Sequence, residues 1–173
     1  MTERFEYTIS DRSFSESETK KVFADAGIDW PTRAERYEQL KGTIFQEVDG
    51  EWWISYLDGK PVGSYGIGQF EGVYLSLGAI SYSPGAGEFV SNYVVNNHGD
   101  KPILANGATS RGVNLLNKLK FRPLEVKDGL VQGNTDLPTE VKSALEIASG
   151  RGGTVLRKIY LKLADKWFVM LNR

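Results

Sequence analysis

A mixed, mostly antiparallel sheet flanked by helices, an α/β fold of the α+β kind, is the class this sequence predicts, and three observations predict it. Two dipeptides with hairpin-turn chemistry, Asp58-Gly59 and Glu71-Gly72, separate three runs of strand character. Past Tyr82 the apolar spacing switches to the helical period, and short apolar runs then alternate with helical segments. A chain of 173 residues, 40% hydrophobic and 25% charged, is long enough for one good core and short for two.

The elements follow in order. Arg4 to Ser10 alternates as a half-buried strand does, and Ser15-Glu-Ser-Glu-Thr supplies a cap and first-turn acids for a helix through Phe23. Helical spacing recurs from Thr32 to Gln46. A meander comes next, with strands at Trp53 to Leu57, Pro61 to Gln69 and Val73 to Ser81. The turn Ser83-Pro-Gly-Ala-Gly leads into a helix from Glu88, whose Phe89, Val90, Tyr93 and Val94 recur at helical spacing. Ile103 to Asn106 has strand length, Thr109 to Phe121 places Val113, Leu116 and Leu119 on one helical face, and Leu124 to Val126 continues as a strand. Thr139 to Ile147 reads as a helix and Ser149-Gly-Arg-Gly-Gly as a break. From Thr154 the residues Leu156, Ile159, Tyr160, Leu163, Trp167, Met170 and Leu171 lie three or four apart, which predicts an amphipathic helix of about five turns. The expected organisation is a main domain over 1–126 and a C-terminal helical extension over 127–173.

Composition closes several routes. The chain has no cysteine, which removes disulfides, thiolate metal sites and cysteine nucleophiles. Its one histidine, His98, excludes a zinc site built from histidines; placed before Gly99, it suits the end of the preceding helix. No stretch approaches the length of a membrane span and the first residues lack a signal-peptide core, so a cytoplasmic setting is the expectation. From Arg151 onward six basic residues stand against the single acid Asp165, a net of +5 in a chain whose total is −1. That basic amphipathic tail reads either as packing on its own domain or as a handle for a neighbouring subunit or an anionic partner. No nucleic-acid motif accompanies it.

The glycines of the turn carry a chemical reading of their own. Glycine lets a backbone approach a phosphate closely, and the amides of a helix N-terminus point unpaired N–H groups along a positive dipole. The same turn also serves as a strand-to-helix connection that needs glycine for geometry alone. A dinucleotide fingerprint fails because Val90 stands where the third glycine belongs, and a P-loop fails for want of Gly-Lys-Ser/Thr.

The order of elements and two motifs resemble the GNAT-family N-acetyltransferases over residues 4 to 126. The family's Gln/Arg-x-x-Gly-x-Gly/Ala loop, between its fourth strand and third helix, is similar to Tyr82-Ser83-Pro84-Gly85-Ala86-Gly87. Its following helix, Asn-x-x-Ala-x-x-Leu-Tyr-x-Lys-Leu-Gly-Phe, is matched at Leu115, Lys118, Leu119 and Phe121, and Leu57-Asp-Gly-Lys-Pro-Val-Gly looks like the family's preceding hairpin. The resemblance implies acetyl-CoA as cofactor, with its pyrophosphate on the amides of Gly85, Ala86, Gly87 and Glu88 and further contacts from Ile80, Tyr82, Asn106 and Thr109. It also implies direct attack of an amine on the thioester, the carbonyl polarised by backbone N–H groups of the fourth strand. Glu71 is the carboxylate placed for a base; its other reading is a solvated turn acid. Departures fall at Tyr82, where the family has Gln or Arg, at Thr109, Gly112 and Lys120, and at Leu116, where many members carry the tyrosine that protonates the leaving thiolate. Tyr82 ranks first, before Tyr74 and Tyr93, to supply the missing acid; such tyrosines also serve as packing.

Two functions follow from the resemblance. One is an N-acetyltransferase moving an acetyl group from acetyl-CoA to an amine. The other is a GNAT fold without its chemistry that serves as a structural or assembly protein, as among the virion components of short-tailed phages, with 154–173 as the contact to other subunits.

Overall fold

The computed structural model describes residues 5–36, 48–107, 110–124, 126–127, 130–131, 137–147 and 166–171. Within these, strands β1 (Thr8–Ile9), β2 (Gly50–Leu57), β3 (Lys60–Phe70), β4 (Val73–Ser81), β5 (Ile103–Gly107), β6 (Arg122–Leu124) and β9 (Lys166–Met170) form one sheet in the order β1-β2-β3-β4-β5-β9-β6. The short strands β7 (Val126–Lys127) and β8 (Leu130–Val131) pair apart from it. The helices are α1 (Glu16–Asp25), α2 (Arg33–Arg36), α3 (Ala86–Asn96), α4 (Ser110–Lys118) and α5 (139–147). Every pairing in the main sheet is antiparallel except β4 with β5. No described helix is long and apolar enough to cross a membrane.

The meander forms where the turn chemistry put it. Asp58 and Gly59 take φ of 50° and 76°, Glu71 and Gly72 take 50° and 81°, and two-residue hairpins need these left-handed pairs to match strand twist. The first predicted strand is shorter than its alternation suggests. Only Thr8 and Ile9 pair with β2; the chain bends at Asp11 and Arg12 and touches β2 again at the Phe14–Trp52 bridge. The helical reading from Thr32 is met at α2, and 37–47 lie outside the described residues.

The sheet has a core on each face. One holds Phe23, Trp30, Trp52, Leu75, Leu104, Val141 and Leu145 under α1 and α5; the other holds Tyr65, Ile67, Val90, Val94, Leu116 and Phe168 under α3 and α4. Around Arg33 the first layer is tied by polar bonds, with Nε 3.0 Å from Glu16 Oε2 and Nη2 donating to the Val48 carbonyl at 3.1 Å.

The C-terminal segment corrects the sequence reading. Lys166 to Met170 is a strand inserted antiparallel between β5 and β6, not the end of an amphipathic helix, so the sheet takes a strand from beyond residue 126. The physical reason lies in burial on both faces. Val169 and Leu171 join the core under α1 and α5, while Phe168 and Met170 join the core under α3 and α4. A strand covered on both sides is apolar without alternation, so Trp-Phe-Val-Met-Leu satisfies a helical and a strand period alike. The rest of the predicted helix, through residue 165, lies outside the described residues.

Candidate functional site

The glycine-rich turn stands at the N-terminus of α3, and the sheet holds it there from below. Gly63 of β3 has no side chain because a Cβ there would lie 2.8 Å from the Ala86 carbonyl carbon and oxygen. Buried Ser55 of β2 donates its hydroxyl to that same Ala86 carbonyl at 2.9 Å. These two strand residues let the first turn of α3 sit directly on the sheet. Glycine inside a strand marks such a close approach of backbones, and this was the signal in the sequence for Gly63.

Gly85 is the N-cap of α3 with φ 77°, and no side chain caps the helix through it. Only open space surrounds the position a Cβ would take. Of the four amides expected to meet a pyrophosphate, two have protein acceptors: Ala86 N donates to the Ser83 carbonyl at 3.0 Å and Gly87 N to Ser81 Oγ at 3.0 Å. Among the described residues nothing accepts from the amides of Gly85 and Glu88. The Glu88 carboxylate, in the first turn, has Lys118 Nζ from α4 at 3.6 Å. Tyr7 fastens the turn from outside: its hydroxyl donates to the Pro84 carbonyl and meets Ser83 Oγ at 2.8 Å. Neither Tyr7 nor Ser81 has a sequence signal that could have pointed to it.

Just before this turn β4 loses its neighbour. It pairs with β5 only at Tyr74–Ile103 and Leu75–Leu104, although both strands run further. Beyond Leu75 the two strands part. At the same place the pairing with β3 slips, from Gly66–Gly78 to Ile67–Ser76, which leaves Leu77 as the extra residue of a bulge beside Gly78 at φ 125°. A bulge disrupts the ladder and re-aims the backbone, and bulges recur next to active sites. β4 thus leaves β5 at a bulge and runs on to a helix whose N-cap is glycine.

The predicted site residues divide between this region and elsewhere. Ile80 lies on β4 past the bulge and packs toward the α1 side, and Asn106 lies on β5 past the parting, paired in register with Trp167 of β9. Thr109 lies outside the described residues. Tyr82 turns toward α1: its hydroxyl donates to the Asp29 carbonyl at 2.8 Å and its ring packs 5.5 Å from Phe23. Leu116 is buried in the core under α3 and α4. Glu71 sits in the β3–β4 turn, roughly 20 Å of extended strand from Leu77.

That far end of β4 carries a separate polar group. His98 closes α3 with Nδ1 2.6 Å from the Val94 carbonyl, stacks edge-on to Tyr74 and has Glu51 3.7 Å from Nε2. Tyr74 donates to Asp100 at 2.9 Å; its phenol is pushed up to about 12, first by desolvation and then by Asp100. A cleft of about 520 Å³ opens there, lined by residues 48–51, by 67–70 of β3 and by Tyr74. It lies away from the α3 N-terminus, since Tyr74 and Tyr82 are separated by roughly 25 Å of strand. Among the described residues no group of histidine and carboxylates could hold a metal.

No protein-family model matches this sequence, and no curated protein does. Solved structures do match. The Bacillus subtilis N-acetyltransferase YlbP, crystallised in complex with coenzyme A, superposes with a TM-score of 0.52 at 11% identity, over 97% of this chain and 100% of that one. An acetyltransferase of the GNAT family from Staphylococcus aureus Mu50 gives 0.50 at 12% identity, over 97% and 100%. The chain therefore has the fold of the GNAT acetyltransferases, a mixed and mostly antiparallel sheet flanked by helices.

Proposed function

We propose that this protein is an N-acyltransferase that moves an acetyl group from acetyl-CoA to an amine. The observation that carries the reading is the continuity of one feature: the pairing of β4 with β5 ends at Leu75, and β4 then runs on to the glycine N-cap of α3, where the amides of Gly85 and Glu88 have no acceptor among the described residues. The neighbour YlbP, of the same fold, was crystallised with coenzyme A.

The residues at the turn suit a pyrophosphate. Gly85 leaves open space, the amides of Gly85 and Glu88 lack protein acceptors among the described residues, and the helix end is positive. Lys118 offsets the one carboxylate in the first turn. Ser81 Oγ, on the Gly87 amide, gives way to a phosphate oxygen or shares the donor with it. When bound, acetyl-CoA supplies an activated thioester carbonyl. The bulge at Leu77–Gly78 then offers re-aimed backbone N–H groups as dipoles for that carbonyl, in a place the sheet has already organised.

Calorimetry with coenzyme A, followed by thiol release from acetyl-CoA over a panel of small amines and peptides, tests the reading. Binding in the micromolar range and amine-dependent thiol release are expected. Absence of coenzyme A binding at millimolar concentration overturns it.

A further inference from the structure

Leu116 leaves the reaction without the usual donor for the leaving sulfur, and the core that holds it contains a hydrogen-bonded pair of hydroxyls. Tyr65 of β3, 1% exposed, shares the apolar cluster under α3 and α4 with Leu116, Ala105 and Phe168. Its hydroxyl donates to Ser76 Oγ of β4 at 2.7 Å. A phenol buried among apolar side chains needs such a partner, and a packing role for the pair ends there. Ser76, however, has a placement that packing does not require. It is the first residue of β4 beyond the last β4–β5 pair, it immediately precedes the bulge residue Leu77, and it is only half-buried. A hydroxyl that accepts from Tyr65 still has its own proton to give, and among the described residues nothing accepts it.

We propose that Ser76, held by Tyr65, donates a hydrogen bond to the leaving sulfur of the acyl thioester, in the role that Leu116 leaves unfilled. The proposal rests on the acyl-CoA reading above. In the transfer the acceptor nitrogen forms the new amide bond as the C–S bond breaks, sulfur keeps the electron pair, and the nitrogen's proton passes to solvent. Ser76 stabilises the thiolate so produced without losing its proton, and solvent protonates the sulfur afterwards. Tyr65 is a positioning residue. Burial pushes its phenol up to about 12, so at neutral pH it stays a donor to Ser76 and never competes as an anion for the Ser76 proton.

The test uses the full chain and its variants Ser76→Ala, Ser76→Thr and Tyr65→Phe, with folding checked by circular dichroism. The first readout is binding alone: affinity for coenzyme A and for desulfo-coenzyme A, by calorimetry between pH 7 and pH 9. Stabilising the thiolate makes coenzyme A bind more tightly as pH rises, whereas desulfo-coenzyme A shows no such rise. Ser76→Ala is expected to abolish the difference between the two ligands, Ser76→Thr to keep it, and Tyr65→Phe to reduce it. The second readout is turnover, with kcat expected to fall about ten- to a hundredfold in Ser76→Ala, as for loss of a hydrogen bond to a charged group, while KM is unchanged. If the unaltered protein binds both ligands and Ser76→Ala keeps the same pH dependence and kcat, the role of the pair is overturned and the cofactor reading stands. If the unaltered protein binds neither ligand, both fall together.

Discussion

Two helices of this protein begin in opposite ways. α1 is closed by its own side chains: Ser15 Oγ accepts from Glu18 N at 3.1 Å, and Glu18 Oε1 accepts from Ser15 N at 2.9 Å. α3 begins at a left-handed glycine that offers no cap of its own; Ser81 Oγ takes the Gly87 amide, and the helix is positioned by the sheet through Ser55 and Gly63. A capping box satisfies two of the four orphan amides with side chains of the helix's own first turn. The start of α3 gives up that local stability, and strands more than twenty residues away hold it in place instead. The difference separates a helix end closed by its own first-turn side chains from one set in place by the sheet.

The seat of α3 on the sheet is most sensitive at Gly63. A methyl group there would stand 2.4 Å from Ser55 Oγ as well as against the Ala86 backbone, so Gly63→Ala is expected to cost about 1–3 kcal/mol as overpacking. Urea unfolding measures that loss. Coenzyme A affinity should fall with it, because the first turn of α3 is pushed off the sheet; unchanged affinity would mean that the turn is not the binding element.

Two glycines share a backbone conformation but not a setting. Gly85 and Gly27 both have positive φ, 77° and 75°, and neither has an atom within 4 Å of its missing Cβ. Gly27 ends α1, with its amide on the Ala24 carbonyl and Ile28 N on the Phe23 carbonyl. Replacing either by alanine is expected to cost about 1–2 kcal/mol through the left-handed backbone alone. Only Gly85→Ala should also weaken coenzyme A binding. Equal binding in the two variants would remove the distinction drawn between the helix ends.

The smallest effect belongs to the closed end and appears with pH. Hydrogen bonds from the Ser15 backbone and then its hydroxyl hold the Glu18 carboxyl below its usual 4.5. A carboxyl lowered in the folded state contributes its stability in full above the unfolded value and loses it as pH falls through the folded one. The urea midpoint of the unaltered protein should therefore drop more steeply between pH 5 and pH 3 than that of Glu18→Gln. Coincident profiles would show that the capping box adds nothing to stability.

Local chemistry was legible along the chain. Asp58-Gly59 and Glu71-Gly72 made their hairpins, Ser15 and Glu18 made their cap, and the helix after Pro84 began within two residues of its predicted start. Even Lys120, where the related pattern has glycine, takes φ 66° and closes α4, with Phe121 N on the Leu116 carbonyl. The turn into α3 was legible for the same reason, since Gly85 takes the φ of 77° that a residue without a side chain adopts freely.

By itself, then, the sequence determined the meander, the helix caps and the glycine turn, because each depends on the backbone preferences of two to six neighbouring residues. Only the tertiary structure decided three other things: the insertion of Lys166–Met170 between β5 and β6, the parting of β4 from β5 after Leu75, and the meeting of Tyr65 with Ser76. The first sets a strand out of chain order in the sheet, the second ends a pairing of neighbouring strands beside a one-residue bulge, and the third brings two side chains together across that bulge. An apolar run such as Trp167 to Leu171 carries no mark of the partner it will take, because burial on both faces erases the alternation that tells a strand from a helix.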